Sequence, residues 1–440
     1  VLFMNQSLSL SKLIPISLVL FSSFFGAGNL LFPPLFGYLS GSNLNIATLG
    51  FCITGVGMPL LGVLAIAVTG NTDLTKLASP VNVAYAKIIM FLSSMAIGLF
   101  AIPRTAAFSY EIGVKPLIGG AAAWHLALFS ALYFAFSYYV ASNPSKVLNW
   151  LGKILTPALL ACLVLLFIRV FTAPSFTPVS PQDAYLTTPF LKGFQEGYNT
   201  MDLLASFLFG ASTLTAVKLY GVTGKRQLIQ SCLLSGLIAA GLLALVYYSL
   251  GYAGAESHRY LTGEFSNGAG ILTAMVQQYL GSWGNAILAA IILLACLTTC
   301  IGLIASISDY FVILFDHKLS KDVWAITLVI VSFLISNFGL DSIIKMAIPL
   351  LVFLYPIIIA LTLLNTFGFA GNKRVFRCTM WIVTLFALFD GLKVASIHLP
   401  IESMLNIVPL YEDGFGWFTV AVMGTAIGVI WDHMKSDGKE

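Results

Sequence analysis

Apolar residues in this chain come in long blocks, and the blocks set its architecture. A bilayer core takes about 20 apolar residues wound as a helix, and about twelve blocks of that kind can be placed. They centre near Gly26, Val56, Ile97, Leu132, Leu160, Leu204, Ala240, Leu294, Val331, Val352, Leu385 and Ala426. Short polar connections with Gly or Pro separate them, as expected of helix breakers. Two connections are longer, 172–190 and 254–282. The first block, from about Leu8 to Leu39, is too long for the apolar part of a signal peptide and has no cleavage site behind it, so it is expected to be the first span.

Composition removes the soluble alternatives. Of 440 residues, 58% are hydrophobic and 9% charged, and mean hydropathy is +0.93. A soluble domain carries about 25% charged residues. The net charge of +4 is too small for a face that binds nucleic acid, and no obligate protein partner is evident. The six cysteines lie in apolar stretches without zinc spacing; Cys296 and Cys300 share a helix face and are expected to be packing residues.

Charge placement sets orientation. With the N-terminus inside, inner connections hold 15 of the 22 Lys and Arg residues, which supports twelve spans with both ends cytoplasmic.

Spans one and six break the apolar pattern. The first holds Gly26-Ala27-Gly28-Asn29 and then Pro33-Pro34; the sixth holds Glu196-Gly197-Tyr198-Asn199-Thr200-Met201-Asp202. In a helix interior Gly costs about 1 and Pro about 3 kcal/mol, and an acid at bilayer centre about 2.5–3.5. Such residues are kept where irregular backbone lines a cavity inside protein. The first span runs outward and the sixth inward, so spans one to five and six to ten form a possible inverted repeat, each half opening with a broken helix. The expected division is 1–171, 172–368 and a pair of added helices in 369–440.

Each break suggests chemistry. Amides freed at Gly26, Ala27, Gly28 and Asn29, with the positive end of a half-helix, suit a carboxylate. The alternative is a glycine packing interface. Carbonyls of Ser22 and Phe25, just before the break, would face a cation. In span eight, Ala295, Thr298, Thr299, Gly302 and Ser306 fall on one face, and two hydroxyls with a carbonyl give oxygen ligands for a hard cation; alternatively the hydroxyls bond back to their own helix. Asp202, an intramembrane acid, is a functional candidate: it binds an ammonium, ligates a cation, pairs with a base, or caps the unwound segment. Arg104 follows Pro103 and either closes an outer gate by pairing with an acid or snorkels to headgroups. Lys153 is expected at the inner interface; in the cation site it would instead make coupling proton-driven.

Enzyme signatures fail. Gly221 to Arg226 has the wrong glycine spacing for a phosphate loop, and the histidines form no metal motif.

Phe24-Phe25-Gly26-Ala27-Gly28-Asn29-Leu30-Leu31-Phe32-Pro33-Pro34 resembles the bacterial branched-chain amino acid:cation symporter family. So do Ile102-Pro103-Arg104-Thr105-Ala106-Ala107, Gly197-Tyr198-Asn199-Thr200-Met201-Asp202 and Leu297-Thr298-Thr299, so the likeness covers essentially the whole chain. It implies an all-α, leucine-transporter-like fold in the inner membrane and uptake of leucine, isoleucine and valine with Na+. The implied Na+ ligands are the carbonyls of Ser22, Phe25 and Ala295 with Thr298 and Thr299. The substrate's charged ends would meet Gly26, Ala27, Gly28 and the stretch Tyr198, Asn199, Thr200, Met201 and Asp202, and its side chain would meet Phe207 and Leu303. A proton-coupled carrier, another amino acid or nucleobase as cargo, a channel and an intramembrane enzyme remain as alternatives.

Overall fold

The computed structural model describes residues 8–118, 123–172, 179–265, 267–369, 371–397, 407–411 and 413–436. Part of the first long connection, His398 and the basic Lys439 fall outside the described residues. Among the described residues all regular structure is helical, and nine helical stretches are long and apolar enough to cross a membrane.

The first block is two helices, α1 (Leu10–Phe24) and α2 (Ala27–Ser40), parted by extended backbone at Phe25 and Gly26. The next helices are α3 (Leu44–Cys52), α4 (Met58–Thr69), α5 (Val83–Ala96), α6 (Ile102–Phe108), α7 (Ala123–Ala141) and α8 (Thr156–Phe171). A second interruption parts α9 (Pro189–Glu196) from α10 (Asp202–Leu219). Then come α11 (Lys225–Glu256), α12 (Ala269–Leu280), α13 (Gly284–Leu314), α14 (Lys321–Ser336), α15 (Leu340–Thr366), α16 (Lys373–Val394) and α17 (Gly416–Ser436).

Proline shapes the first half in a regular way. Wide π-turns at Ile53–Gly57, Ile97–Ala101, Ser109–Val114 and Leu151–Leu155 are followed by Pro59, Pro103, Pro116 and Pro157. A proline ring clashes with the carbonyl four residues back and supplies no N–H. Here that carbonyl, at Gly55, Leu99, Ile112 or Lys153, lies inside the widened turn each time. Pro103 thus leaves Arg104 on a helix that continues past it.

Close packing comes from glycine, because lipid gives helices no hydrophobic reason to associate and small residues let backbones touch. A side chain at Gly37 would strike the backbone of Gly251, and one at Gly254 the carbonyl of Pro34, so α2 lies directly on α11. In the same way Gly193 meets the carbonyl of Ala47 and Gly50 that of Phe190, which joins α9 to α3. The pair α16 and α17 packs together and is tied by Arg374 to Asp432 at 2.8 Å.

The second long connection holds a helix that hydropathy passes over. At 12 residues, α12 is too short to span a bilayer. It seats on the second half of the first broken helix, α2, where Gly268 meets the carbonyl of Leu31. Arg169 donates to the carbonyl of Tyr279, whose hydroxyl donates to Glu256 at 2.7 Å.

Candidate functional site

The two interruptions meet inside the bundle. At the first, Asn29 closes the gap it sits beside: its Oδ1 accepts the Gly26 N–H at 3.0 Å. Its Nδ2 donates to Asp202 at 2.7 Å and to the Tyr247 hydroxyl, which itself donates to Asp202 at 2.8 Å. The second interruption is one tight turn, Gly197–Thr200, followed by Met201 in the left-handed region at φ 65°. That conformation costs an ordinary residue about 1–2 kcal/mol, and the surrounding contacts must hold it. Asp202 then opens α10, its N–H reaching Thr200 Oγ1 at 3.3 Å.

Asp202 therefore accepts side-chain donors from two other helices. Asn29 and Asp202 are each 2% exposed, and Tyr247 is fully buried. Sequence reasoning missed Tyr247, since one tyrosine in an apolar span carries no signal until its hydroxyl finds a partner.

Arg104 is 4% exposed, so it does not reach the headgroups. It also joins none of the ion pairs among the described residues. Its terminal nitrogens donate to the carbonyls of Asn199 at 2.9 Å and Thr200 at 3.4 Å, tying α6 to the second interruption.

The span-eight hydroxyls divide their work. Thr298 Oγ1 bonds back to Ala295 of its own helix at 2.9 Å, whereas Thr299 Oγ1 crosses to the carbonyl of Ser22 at 3.2 Å. A side chain at Gly26 would come within 2.7 Å of that same Oγ1. Ser22, Gly26 and Thr299 thus share one point. Phe25, fully buried, stacks on Phe21 with ring centres 5.4 Å apart.

A cavity of about 20 Å³ lies between the breaks, room for little more than one water. Gly26, Ala27, Gly28, Asn29, Arg104, Thr200, Met201, Asp202 and Thr299 border it, and Phe24, Ile97, Ala101, Ala205, Phe209 and Leu303 supply apolar wall. A second cavity, about 530 Å³, is bordered by Ser23, Phe209 and Gly302 and also by Asp309, His317 and Lys321. Ser23 and Phe209 border both, so the two spaces lie in series. Ser212 and Ser306 touch across the larger one at 2.9 Å.

Some expected residues stand elsewhere. Phe207 turns toward Gly62 of α4, outside both cavities, and Phe209 takes the wall instead. Tyr198 stacks on Tyr355 at 4.3 Å, and Asn199 gives its carbonyl to Arg104 and its amide to Glu196. Neither borders the small cavity. Lys153 is exposed. No group of three His, Cys, Asp or Glu able to hold a metal occurs among the described residues.

A helical membrane bundle whose two interrupted helices meet around buried polar groups has the architecture of a secondary transporter. The fold is shared with the solved structure of Mhp1, a nucleobase-cation-symport-1 family transporter in a closed conformation with bromovinylhydantoin bound: TM-score 0.62, 14% identity, 95% of this chain and 92% of that one covered. Sequence relatives narrow the class. The branched-chain amino acid permease BrnQ of Bacillus subtilis is 40% identical, covering 97% of this chain and 98% of its own. The branched-chain amino acid transport system 2 carrier protein of Pseudomonas aeruginosa is 35% identical over 97% and 98%, and BrnQ of Escherichia coli 34% over 98% of each. The branched-chain amino acid transport protein family model matches residues 9–435, and the chain belongs to that family. It is a multi-pass membrane transporter and not an enzyme.

Proposed function

We propose that this protein imports leucine, isoleucine and valine across the bacterial inner membrane with Na+, by alternating access. One observation carries the coupling: the Ser22 carbonyl and the Thr299 hydroxyl, 277 residues apart, converge at the Gly26 break. Na+ between them would take the carbonyl as a ligand and turn the hydroxyl's lone pair inward, with Phe25, Ala295 and Thr298 completing an oxygen shell. Ordering that shell orders the break, and linkage then requires that amino acid and ion each raise the other's affinity.

The twelve-span, five-plus-five plan gains support from packing. The second half of the first broken helix, α2, lies on α11, and the second half of the other, α10, lies on α4, where a side chain at Gly210 would meet the backbone of Val63. An inverted repeat pairs those two joints. With basic residues inside, the large cavity opens to the cytoplasm and α12 covers the outer side, an inward-facing arrangement.

Purified carrier in liposomes, loaded with leucine under an imposed Na+ or proton gradient, tests the reading. A Na+ gradient should drive accumulation at constant pH. Uptake driven by a pH gradient without Na+ would replace sodium by protons. Thr299→Ala should weaken Na+ activation more than Thr298→Ala, because its hydroxyl alone of the two crosses between helices.

A further inference from the structure

We infer that Arg104 is the anchor for the carboxylate of the transported amino acid; the inference rests on the amino acid reading above. A guanidinium carries five N–H donors in a planar fork. In this protein Nη1 and Nη2 each reach one backbone carbonyl, the second at 3.4 Å, while Nε is buried with no partner at all. A permanent cation inside a bilayer normally meets a carboxylate or several strong acceptors. Arg104 meets two peptide oxygens and the face of Phe32, 5.7 Å from the ring centre. Asp202 is near enough to act on it electrostatically but stands outside ion-pair distance, with its Oδ2 engaged by Asn29 and Tyr247. The site therefore holds a cationic fork whose complement is not supplied by the protein.

The surroundings say what the complement is. Arg104 borders the cavity between the breaks, and a side chain at Gly28 would come within 2.7 Å of its Nη2. The fork thus lies against the glycine stretch whose backbone N–H groups suit the same anion. Across the cavity stands Asp202, and apolar wall from Ile97, Ala101, Phe209 and Leu303 closes the rest. Cation and carboxylate facing each other across a narrow gap with aliphatic wall beside it suit the adjacent carboxylate and ammonium of an α-amino acid, and the space of about 20 Å³ must open to take the branched side chain. The carboxylate takes a bidentate bond from the fork, which exchanges the weak hold on Thr200 for a charge-assisted pair. Because the carbonyls of Asn199 and Thr200 belong to the second interruption, occupation of Arg104 also loosens α6 from that turn.

Competition of leucine and of leucinamide against radiolabelled leucine on the purified full-length carrier tests this, in saturating Na+. Leucinamide keeps the amine and side chain but lacks the anion. The wild-type protein should prefer leucine by about a hundredfold, the scale of a lost buried charge pair. In Arg104→Gln that preference should collapse to within about threefold, through weaker leucine binding with leucinamide nearly unchanged, and Arg104→Lys should fall between. Equal weakening of both ligands, with the preference kept, would make Arg104 a structural strut and overturn the assignment. If neither variant folds, the wild-type comparison decides: equal competition by leucine and leucinamide overturns it. Wild-type protein that binds no leucine would sink the amino acid reading itself, a different failure.

Discussion

The two interrupted helices are broken by different means. At the first, the break is local: Gly26 takes the extended conformation, and Asn29, three residues on, closes the gap with its own side chain. At the second, the turning residue is Met201, a residue with no taste for the left-handed region, held there by its neighbours. Thr54 donates to the carbonyl of Phe194 at 2.7 Å, Gly197 is pressed on Thr54, and Arg104 holds the carbonyls of Asn199 and Thr200. Asn29 closes the first break across itself, whereas the second adds the hold of Thr54 and Arg104 to the local bonds of Thr200. A locally made break survives large motions of its surroundings. A break made by contacts changes with them.

The largest effect expected is at the local break. Gly26→Ala puts a methyl group 2.7 Å from Thr299 Oγ1, an overpacking of about 3 kcal/mol, and leucine uptake should fall about a hundredfold at equal surface expression. Adding Thr299→Ala makes room but removes the hydroxyl, so binding should return in part without Na+ activation. At the other break, Gly197→Ala collides with the Thr54 hydroxyl instead, and adding Thr54→Ala should return uptake together with its Na+ dependence. If both double variants behave alike, the two breaks are not chemically distinct.

That contrast also explains what was legible beforehand. Two glycines flanking an alanine, followed by asparagine and a proline pair in an apolar span, mark the first break within Gly26 to Asn29, because each acts on backbone close to it in sequence. The second was visible only as a polar run, since nothing in a methionine signals φ 65°. Phe207 and Phe209 cannot be ranked from spacing alone: both are apolar, and the rotation of α10 about its axis decides which one meets the cavity. Tyr247 and the hold on Arg104 depend on partners many residues away. The helix α12 escapes a search for spans because it lies in a connection and is only 12 residues long.

Next in size are substitutions in the network that joins the breaks. Asp202→Asn keeps the shape and removes the charge that Asn29 and Tyr247 serve, so leucine affinity should drop by about 2–3 kcal/mol, on the order of fiftyfold. Tyr247→Phe deletes one donor to Asp202 and should cost about 1 kcal/mol, roughly fivefold. Binding isotherms for both variants check the order. A larger effect from Tyr247→Phe would mean that α11, not the broken helices, positions the carboxylate.

The smallest effect is expected at Lys153. This lysine sits on the π-turn Leu151–Leu155, whose Gly152 packs on α1, where a side chain would come within 3.2 Å of Val19. The turn therefore touches the half-helix that leads to the proposed cation site. Lys153 itself is exposed. Lys153→Ala should leave Na+ activation and its pH dependence within about twofold, the ordinary range for a surface substitution; uptake across a Na+ series at two pH values measures both. A variant that loses pH dependence, or needs Na+ where the parent did not, would show that the ammonium swings inward to occupy the ion's place. The first break would then take its positive charge from span five in place of an ion.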